Sequence, residues 1–255
     1  MLITHVDDLA LETRIIPGPA GKPWLIFLHE GLGSVSLWRD FPDKVARALL
    51  MPALIYSRQG YGNSSPLKHA REPGFMHHEA LDVLPKLIAA HAITSSVLIG
   101  HSDGASIALI HAAHHPAEVA ATVLMAPHVM VEPVSVESIA RVSKAYETTD
   151  LKSRLSRHHA HVDDAFLGWS QIWLDPRFRD WSLGPECRRL NVPSLLIQGR
   201  DDEYGTLAQI DAIADAAQGP IESLILDHCG HAPQRDKEGD VIKAICDFAE
   251  RVLSA

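Results

Sequence analysis

This sequence of 255 residues is poor in cysteine, and the few cysteines form no recognisable pattern. Cys187, Cys229 and Cys246 are odd in number and lack the paired spacing of zinc ligands. A disulfide framework and a cysteine zinc site are therefore both disfavoured. We predict reduced thiols and no bound metal.

Long apolar runs and an excess of positive charge are also missing. The longest apolar runs fall far short of the roughly 20 residues that cross a bilayer, and residues 1–8 lack the basic and apolar regions of a secretory signal. Lysine and arginine number 23 against 32 aspartates and glutamates, which gives a net charge of -9. That balance disfavours nucleic acid and anionic membranes as partners. We predict a cytoplasmic protein that binds neither.

The sequence does contain enough apolar material for one sizeable domain, since 46% of its residues are hydrophobic. Short apolar runs that do not alternate predict strands covered on both faces. They lie at residues 24–29, 53–57, 96–100, 121–125, 193–197 and 222–226. Helical periodicity occurs between most of them, at residues 37–50, 79–91, 102–114, 207–217 and 240–253. With an edge hairpin of residues 2–6 and 10–16 in front, this order predicts a doubly wound α/β fold with a mostly parallel sheet.

One interval interrupts the alternation of strands and helices. Residues 131–189 contain no buried-strand pattern, and short amphipathic helices are predicted at 136–146, 151–159 and 162–173. We therefore divide the chain into a core of residues 1–130 and 190–255 and a helical lid of residues 131–189, which we expect to cover the catalytic edge of the sheet.

A nucleophile motif follows the third buried strand pattern. Ser102 is flanked by Gly100 and Gly104, and the Gly-x-Ser-x-Gly segment joins an apolar run to a helical one. Such a turn needs glycines two residues before and after the serine, because larger side chains would collide there. A serine that only caps a helix is the alternative.

A base and an acid follow in the order that serine hydrolases on open α/β sheets use, nucleophile then acid then base. His231 lies between the last predicted strand and the last helix, and we prefer it to His228 as the base. Two adjacent aspartates, Asp201 and Asp202, follow the strand at 193–197. Neighbouring residues leaving a strand point in opposite directions, so only one of the two can face the histidine.

These motifs together resemble the α/β-hydrolase superfamily, and a fourth segment agrees. Residues 56–64 are similar to the Asp-x-x-Gly-x-Gly-x-Ser segment of that superfamily, with Ser57 in place of the usual Asp. Similar lidded members include enol-lactone hydrolases, carboxylesterases and meta-cleavage-product hydrolases. The resemblance implies a hydrolase without a cofactor. Related chains place the acid three residues after a strand-ending glycine, which from Gly199 selects Asp202 over Asp201.

The resemblance also places an oxyanion hole after the first buried strand. One donor is expected to be the amide of Asp103, directly after the nucleophile, and the other the amide of Gly31 or Leu32. Glu30 stands where a glycine is usual. Because a carboxylate facing an oxyanion would be unfavourable, we interpret Glu30 as pointing away and orienting the loop.

Further side chains are predicted to line the substrate pocket or to recognise the substrate. The pocket candidates are Glu30, Trp38, His101, His128, Trp169 and Trp173, although the tryptophans could equally fasten the lid to the core and the histidines could be packed in the core. A basic group in the lid would suit an anionic substrate, but a solvated helix face explains it equally well. That group comprises Arg154, Arg157, His158, His159, His161, Arg177 and Arg179.

The sequence thus predicts a serine hydrolase in which Ser102, His231 and Asp202 cleave a small carboxylic ester, lactone or thioester through an acyl-enzyme. The first alternative is hydrolysis of a carbon–carbon bond in a vinylogous diketone by the same residues. The second is a ligand sensor that has this fold without turnover. We expect a small-molecule partner, which an anionic group would suit, and either a monomer or a homodimer.

Overall fold

The computed structural model describes residues 2–253, and strands within that range form one mixed sheet. The strands are β1 (Leu2–Val6), β2 (Leu9–Ile16), β3 (Trp24–Leu28), β4 (Ala53–Tyr56), β5 (Ser96–His101), β6 (Val119–Met125), β7 (Ser194–Gly199) and β8 (Ile221–Leu226). Their order across the sheet is β1-β2-β4-β3-β5-β6-β7-β8. The hairpin β1–β2 and the pair β2–β4 are antiparallel, while β4, β3 and β5 to β8 run parallel. The predicted α/β fold is confirmed.

Alternate residues of the central strands supply two separate cores, one on each face of the sheet. In β3, Ile26 and Leu28 belong to one apolar cluster, and Leu25 and Phe27 belong to the other. All four side chains are fully buried. This two-sided burial is why the strand sequences are apolar throughout rather than alternating.

Helices cover both faces of this sheet. They are α1 (Phe41–Leu49), α2 (Phe75–His78), α3 (Leu84–Ala90), α4 (Asp103–His114), α5 (Pro133–Thr148), α6 (Leu151–Leu155), α7 (Val162–Leu174), α8 (Gly184–Cys187), α9 (Ala208–Ala216), α10 (Pro233–Asp236) and α11 (Glu238–Leu253). None of the helices in the described range is both long enough and apolar enough to pass through a bilayer.

One helix predicted as continuous is divided in two, and another stays helical but changes its hydrogen-bonding pattern. A proline lies close to each of these changes. The stretch 37–50 divides into a 3₁₀ turn (Ser36–Trp38) and α1, whose first turn holds Pro42. Residues 79–91 divide into a π turn (Glu79–Val83) and α3, whose first turn holds Pro85. Proline lacks an N–H and is tolerated only at the start of a helix.

Strand β8 differs from the prediction in its burial. The pattern at 222–226 suggested a strand covered on both faces, but β8 is at the edge of the sheet and pairs only with β7. Its burial is incomplete, and Ile225 is 39% exposed. An apolar run alone does not distinguish a central strand from an edge strand.

Residues 131–189 form helices and turns, with no strand of the sheet among them. The predicted helices correspond to α5, α6 and α7, and α6 is shorter than expected. A 3₁₀ turn (Pro176–Phe178) and α8 follow. An antiparallel bridge between Met130 and Ser182 connects the residue before this helical segment to a residue near its end.

Candidate active site

Ser102 occupies a sharp turn between β5 and α4. Its backbone has φ 54° and ψ −123°, a conformation that side chains larger than glycine rarely adopt. A Cβ on Gly100 would collide with the carbonyl of Gly104, and one on Gly104 would collide with the carbonyl of Leu28. The two glycines are therefore required by close backbone contacts, as the motif predicts.

The structure brings Ser102, His231 and Asp202 together at the carboxyl ends of the parallel strands. Ser102 Oγ lies 2.9 Å from His231 Nε2. His231 Nδ1 lies 2.9 Å from each carboxylate oxygen of Asp202. Since the Asp202 carboxylate only accepts, Nδ1 carries the proton and Nε2 is free to accept the serine proton.

Asp202 is held by three further donors. Its Oδ1 accepts from the amides of Tyr204 at 2.7 Å and Gly205 at 3.1 Å, and its Oδ2 accepts from Gln198 Nε2 at 2.6 Å. Burial raises the pKa of Asp202, but the hydrogen bond and charge of His231 outweigh it and hold that pKa below its usual value. The side chain is 1% exposed, so the ionised carboxylate interacts with the imidazole through little solvent.

Burial lowers the pKa of His231, yet the hydrogen bond to Asp202 and the charges of Asp202 and Glu203 raise it above its ordinary value. The raised pKa means that the histidine binds a proton more readily than a free imidazole. This is the property required of a group that takes a proton from serine.

The loop after β3 carries the predicted oxyanion donors. Within residues 2–253, the amides of Gly31, Leu32 and Asp103 have no protein acceptor. All three residues line the same cavity as Ser102. Unpaired amides beside a nucleophile are available to a developing oxyanion.

The Arg58 side chain stabilises this loop through hydrogen bonds to its backbone, a role that was not predicted from the sequence. The guanidinium is 1% exposed and donates to the carbonyls of His29 and, at 3.0 Å, Glu30. The Arg58 amide donates to His29 Nε2 at 3.1 Å, so the His29 Nδ1–H donates to the Glu30 carbonyl at 2.6 Å. Burial and the charge of Arg58 keep the pKa of His29 well below its usual value, so this imidazole is neutral.

The helical segment also supports the loop. His159 Nδ1 accepts from the amide of Gly62 at 3.0 Å, which leaves its Nε2–H to donate to the Leu32 carbonyl at 3.1 Å. A Cβ on Gly31 would overlap the indole of Trp169. The sequence analysis grouped His159 with basic side chains that could bind an anion. In the structure it instead joins two loops of the core, the one that contains Gly62 and the one that contains Leu32.

A cavity of about 420 Å³ opens over Ser102. Of the predicted pocket residues, Glu30, His101, His128, Trp169 and Trp173 line it. Trp38 does not, which corrects the prediction: it stacks on Phe41 with ring centroids 5.9 Å apart and contacts Phe27 edge-on. Glu203 and Tyr204 line the cavity and were not predicted, because they stand in a polar loop without periodicity.

The arginines of the helical segment do not line this cavity. Arg154, Arg157, Arg177 and Arg179 are all exposed. Arg177 binds Asp175 and Glu72 on the surface. The structure gives these side chains no part in recognising a molecule bound at Ser102.

Comparison with known proteins identifies the family. The sequence profile of the alpha/beta hydrolase family matches residues 25–244. This chain belongs to the alpha/beta hydrolase family.

Two solved structures share the fold of this chain over nearly its whole length. The enol-lactonase from Burkholderia xenovorans LB400 has a TM-score of 0.75 and 21% identity, over 97% of this chain and 99% of the other. A structure from a study of carboxylesterases of Nitrososphaera gargenis has a TM-score of 0.79 and 16% identity, over 99% of each chain. At such identities the likeness establishes the fold.

One similar protein by sequence is a 2-succinyl-6-hydroxy-2,4-cyclohexadiene-1-carboxylate synthase from Enterobacter sp. (strain 638). It is 27% identical over 163 residues, which are 64% of this chain. The matching part of this chain spans 58% of that relative's length.

The chain has Ser57 where an aspartate was expected, and the structure shows which carboxylate takes the place of that aspartate. Ser57 Oγ donates to Glu12 Oε2 at 2.7 Å and accepts from the amide of Val35 at 2.9 Å. Glu12 also accepts from the amide and side chain of Asn63. The Glu12 carboxylate on β2, 3% exposed, therefore anchors the loop of Ser57 and Asn63 from a neighbouring strand.

Glu30 lies at the rim of the cavity and contacts two side chains. Its Oε1 accepts from Arg235 Nη2 at 3.3 Å, and its Oε2 lies 3.4 Å from His101 Nδ1. His101 Nε2–H donates to the carbonyl of His231 at 2.6 Å. Burial raises the pKa of Glu30, but contact with His101 and the charge of Arg235 hold it well below its usual range. Glu30 thus connects the loop after β3 to the loop that carries His231.

His128 lies beside His231 as an uncharged imidazole. Burial, followed by the charge of His231, lowers the pKa of His128 to about 3. Its position is held by Ser106, whose Oγ donates to the His128 carbonyl at 2.5 Å and accepts from its amide at 3.1 Å. Among the described residues, no cluster of three or more histidines, cysteines or carboxylates is arranged to hold a metal ion.

Proposed function

We propose that this hydrolase cleaves small carboxylic esters, lactones or thioesters with Ser102 as the nucleophile, His231 as the base and Asp202 as the acid. The observation that carries the proposal is the continuous set of contacts from Ser102 Oγ through the imidazole to Asp202, each at 2.9 Å. The enol-lactonase and carboxylesterase names of the structural neighbours support this substrate class.

The geometry supports an acyl-enzyme mechanism. Ser102 Oγ attacks the carbonyl carbon while its proton passes to His231 Nε2, and the Asp202 carboxylate stabilises the resulting imidazolium. The amide of Asp103, with that of Gly31 or Leu32, donates hydrogen bonds to the carbonyl oxygen as it becomes negatively charged. His231 then protonates the leaving group, which departs and leaves the acyl group on Ser102. In the second half, His231 takes a proton from water while the water oxygen attacks the acyl carbon, and the bond to Ser102 Oγ breaks as His231 returns the proton to that oxygen.

Covalent labelling tests the nucleophile without knowledge of the substrate. We expect a fluorophosphonate to add one phosphonyl group to the protein, on Ser102, because this hydroxyl has a base at hydrogen-bond distance. Peptide mass spectrometry after digestion locates the adduct. Ser153, an exposed serine on α6, is the internal control and should stay unmodified. An adduct elsewhere, or none, would contradict the assignment.

Gly31→Ala tests whether the oxyanion loop contributes to the rate. The new Cβ would overlap the Trp169 indole, so the loop must shift and move its amides. We expect kcat/KM for p-nitrophenyl acetate to fall by about 10²-fold, as when one oxyanion donor is lost or misplaced. Gly74→Ala is the matched control, because a Cβ there meets nothing within 4 Å. Wild-type activity in Gly31→Ala would remove this loop from the mechanism.

The structure does not favour the alternative of carbon–carbon bond hydrolysis. A vinylogous diketone that carries a carboxylate would need basic side chains to bind it, and the arginines of the helical segment lie outside the cavity. The ligand-sensor alternative makes a different prediction from ours, namely binding without repeated turnover. Multiple turnovers per molecule on any simple ester would separate the two.

A further inference from the structure

His128 lies just after β6 and lines the cavity over Ser102. The residue is 3% exposed, and neither nitrogen of its imidazole forms a hydrogen bond within residues 2–253. Nδ1 is buried from solvent, and a Cβ on Gly205 would lie 3.5 Å from it. Nε2 also has no protein partner, but it is not buried from solvent. Because His128 lines the cavity, Nε2 is the ring nitrogen that a bound molecule can reach.

The neutral imidazole of His128 carries its one proton on one of these two nitrogens. It is neutral because burial, followed by the charge of His231, lowers its pKa to about 3. A buried N–H without an acceptor is rarer in proteins than a buried acceptor without a donor. Since Nδ1 is the buried nitrogen, the favoured tautomer has the proton on Nε2. The cavity wall therefore presents an uncharged hydrogen-bond donor.

Contacts on several sides hold the His128 ring in place. Trp173 meets it edge-on, with ring centroids 4.9 Å apart, and Ser106 Oγ binds its backbone carbonyl and amide. The His231 ring lies 5.5 Å away between centroids and is tilted by 33°. A donor that is fixed before the reaction begins needs no reorganisation to stabilise developing charge.

The order of the strands places His128 on the opposite side of Ser102 from the proposed oxyanion loop. Ser102 follows β5, and the neighbours of β5 in the sheet are β3 and β6. The loop that contains Gly31 and Leu32 follows β3, and His128 follows β6. A substrate whose carbonyl oxygen binds on the β3 side therefore has its other substituents free to extend to the β6 side.

We propose that His128 Nε2–H donates a hydrogen bond to the leaving-group oxygen, so that His128 is a second catalytic histidine beside His231. This inference rests on the proposed function, because it assumes that an ester carbonyl binds at Ser102. The bond between the acyl carbon and the leaving oxygen breaks, its electron pair stays on that oxygen, and His231 supplies the proton that makes it an alcohol. His128 keeps its own proton and stabilises the negative charge that develops on the oxygen before the transfer is complete.

The distance between the two imidazoles suits one shared oxygen. The centre of an imidazole lies roughly 4 Å from an oxygen that is hydrogen-bonded to one of its nitrogens. Two rings with centroids 5.5 Å apart are therefore close enough for both Nε2 atoms to bind one atom between them. His231 Nε2 is already at the reaction centre, since it lies 2.9 Å from Ser102 Oγ.

The leaving group determines how much such a donor contributes. p-Nitrophenolate is a stable anion that departs with little help, whereas the alkoxide of benzyl alcohol is not. His128→Phe keeps a ring in the cavity wall and removes the donor. We expect it to lower kcat/KM by about 100-fold for benzyl acetate and by about 3-fold for p-nitrophenyl acetate. The ratio of the two values, with benzyl alcohol measured by chromatography, should thus change by about 30-fold.

Two further variants separate this catalytic role from a packing role. His128→Gln places an amide N–H near the position of Nε2 and should recover most of the ratio. His69→Phe makes the phenylalanine change at an exposed histidine outside the cavity and should keep both rates. Thermal unfolding checks each variant, and His128→Asn, with a shorter side chain, replaces the phenylalanine variant if that one does not fold. An equal loss on both esters, or no recovery in His128→Gln, would overturn the proposal.

The tautomer can be measured in the wild-type protein by nitrogen-15 NMR of the histidine rings. The His128 signals are assigned by their absence from the spectrum of His128→Gln. We expect a protonated Nε2 and an unprotonated Nδ1, with no titration between roughly pH 5 and pH 8, because burial keeps this ring neutral. A proton on Nδ1, or a ring that titrates in that range, would also overturn the proposal.

Failure of this inference is distinguishable from failure of the proposed function. If the second donor alone is wrong, His128→Phe lowers both rates equally or not at all, and a fluorophosphonate still labels Ser102. If the chain is not a serine esterase, the wild-type protein cleaves neither ester and Ser102 stays unlabelled.

Discussion

Ser102→Ala is expected to lower kcat for p-nitrophenyl butyrate by about 10⁵-fold, the scale found when the nucleophile of a catalytic triad is removed. The substitution deletes one oxygen at a buried site, where Oγ contacts His231 Nε2 at 2.9 Å. The alanine has no hydroxyl to attack the carbonyl, and His231 is left to act on water alone. Steady-state hydrolysis followed at 400 nm measures the loss.

Ser153→Ala provides the control for this experiment. Ser153 is an exposed serine on α6, outside the cavity, so the same chemical change there should leave kcat at the wild-type value. Thermal unfolding checks that both variants fold. A folded Ser102→Ala protein that retains wild-type turnover would show that another group is the nucleophile.

Asp202→Asn is expected to reduce kcat/KM by roughly 10³- to 10⁴-fold and to change its pH dependence. His231 must be neutral to accept the serine proton, so kcat/KM rises with pH through the His231 pKa. The wild-type midpoint should lie above the ordinary value near 6.5, because Asp202 favours the protonated imidazole. Without that carboxylate the pKa falls, and the residual activity should reach its plateau at a lower pH.

Asp201→Asn is the matched control, one residue away. Asp201 is exposed and makes no contact with His231, so both the rate and the midpoint should match the wild type. The measurement is kcat/KM from pH 5 to 9 at constant ionic strength. If Asp201→Asn causes the loss and Asp202→Asn does not, the acid has been assigned to the wrong aspartate.

The sequence predicted the elements of the core well, because their signals are local. Buried strands are apolar throughout when both faces are covered, as Leu25 to Leu28 illustrate. The order of strands in the sheet is not a local property. Nothing in residues 222–226 indicates that β8 is at an edge, because that depends on which strands lie beside it.

The same distinction holds in the active site. Ser102 and His231 could be found because their positions in the chain relative to strands and helices are characteristic of the fold. The roles of Glu12 and Arg58 could not be predicted, because each contacts a loop that is distant from it in the sequence. Glu12 binds Ser57, and Arg58 donates to the backbone carbonyl of His29. Trp38 was misplaced for a similar reason: being aromatic and near the oxyanion loop does not fix the face of the sheet on which a side chain packs.

The contacts that His159 and Trp169 make with the loop after β3 restrict how this protein can be redesigned. One way to change the substrate range would be to replace residues 131–189 with the corresponding segment of another protein. Here the exchange would also remove the imidazole that supports the Leu32 carbonyl and the indole that packs on Gly31. A chimera would need both side chains retained at matching places, so specificity and catalytic rate cannot be engineered as independent modules in this chain.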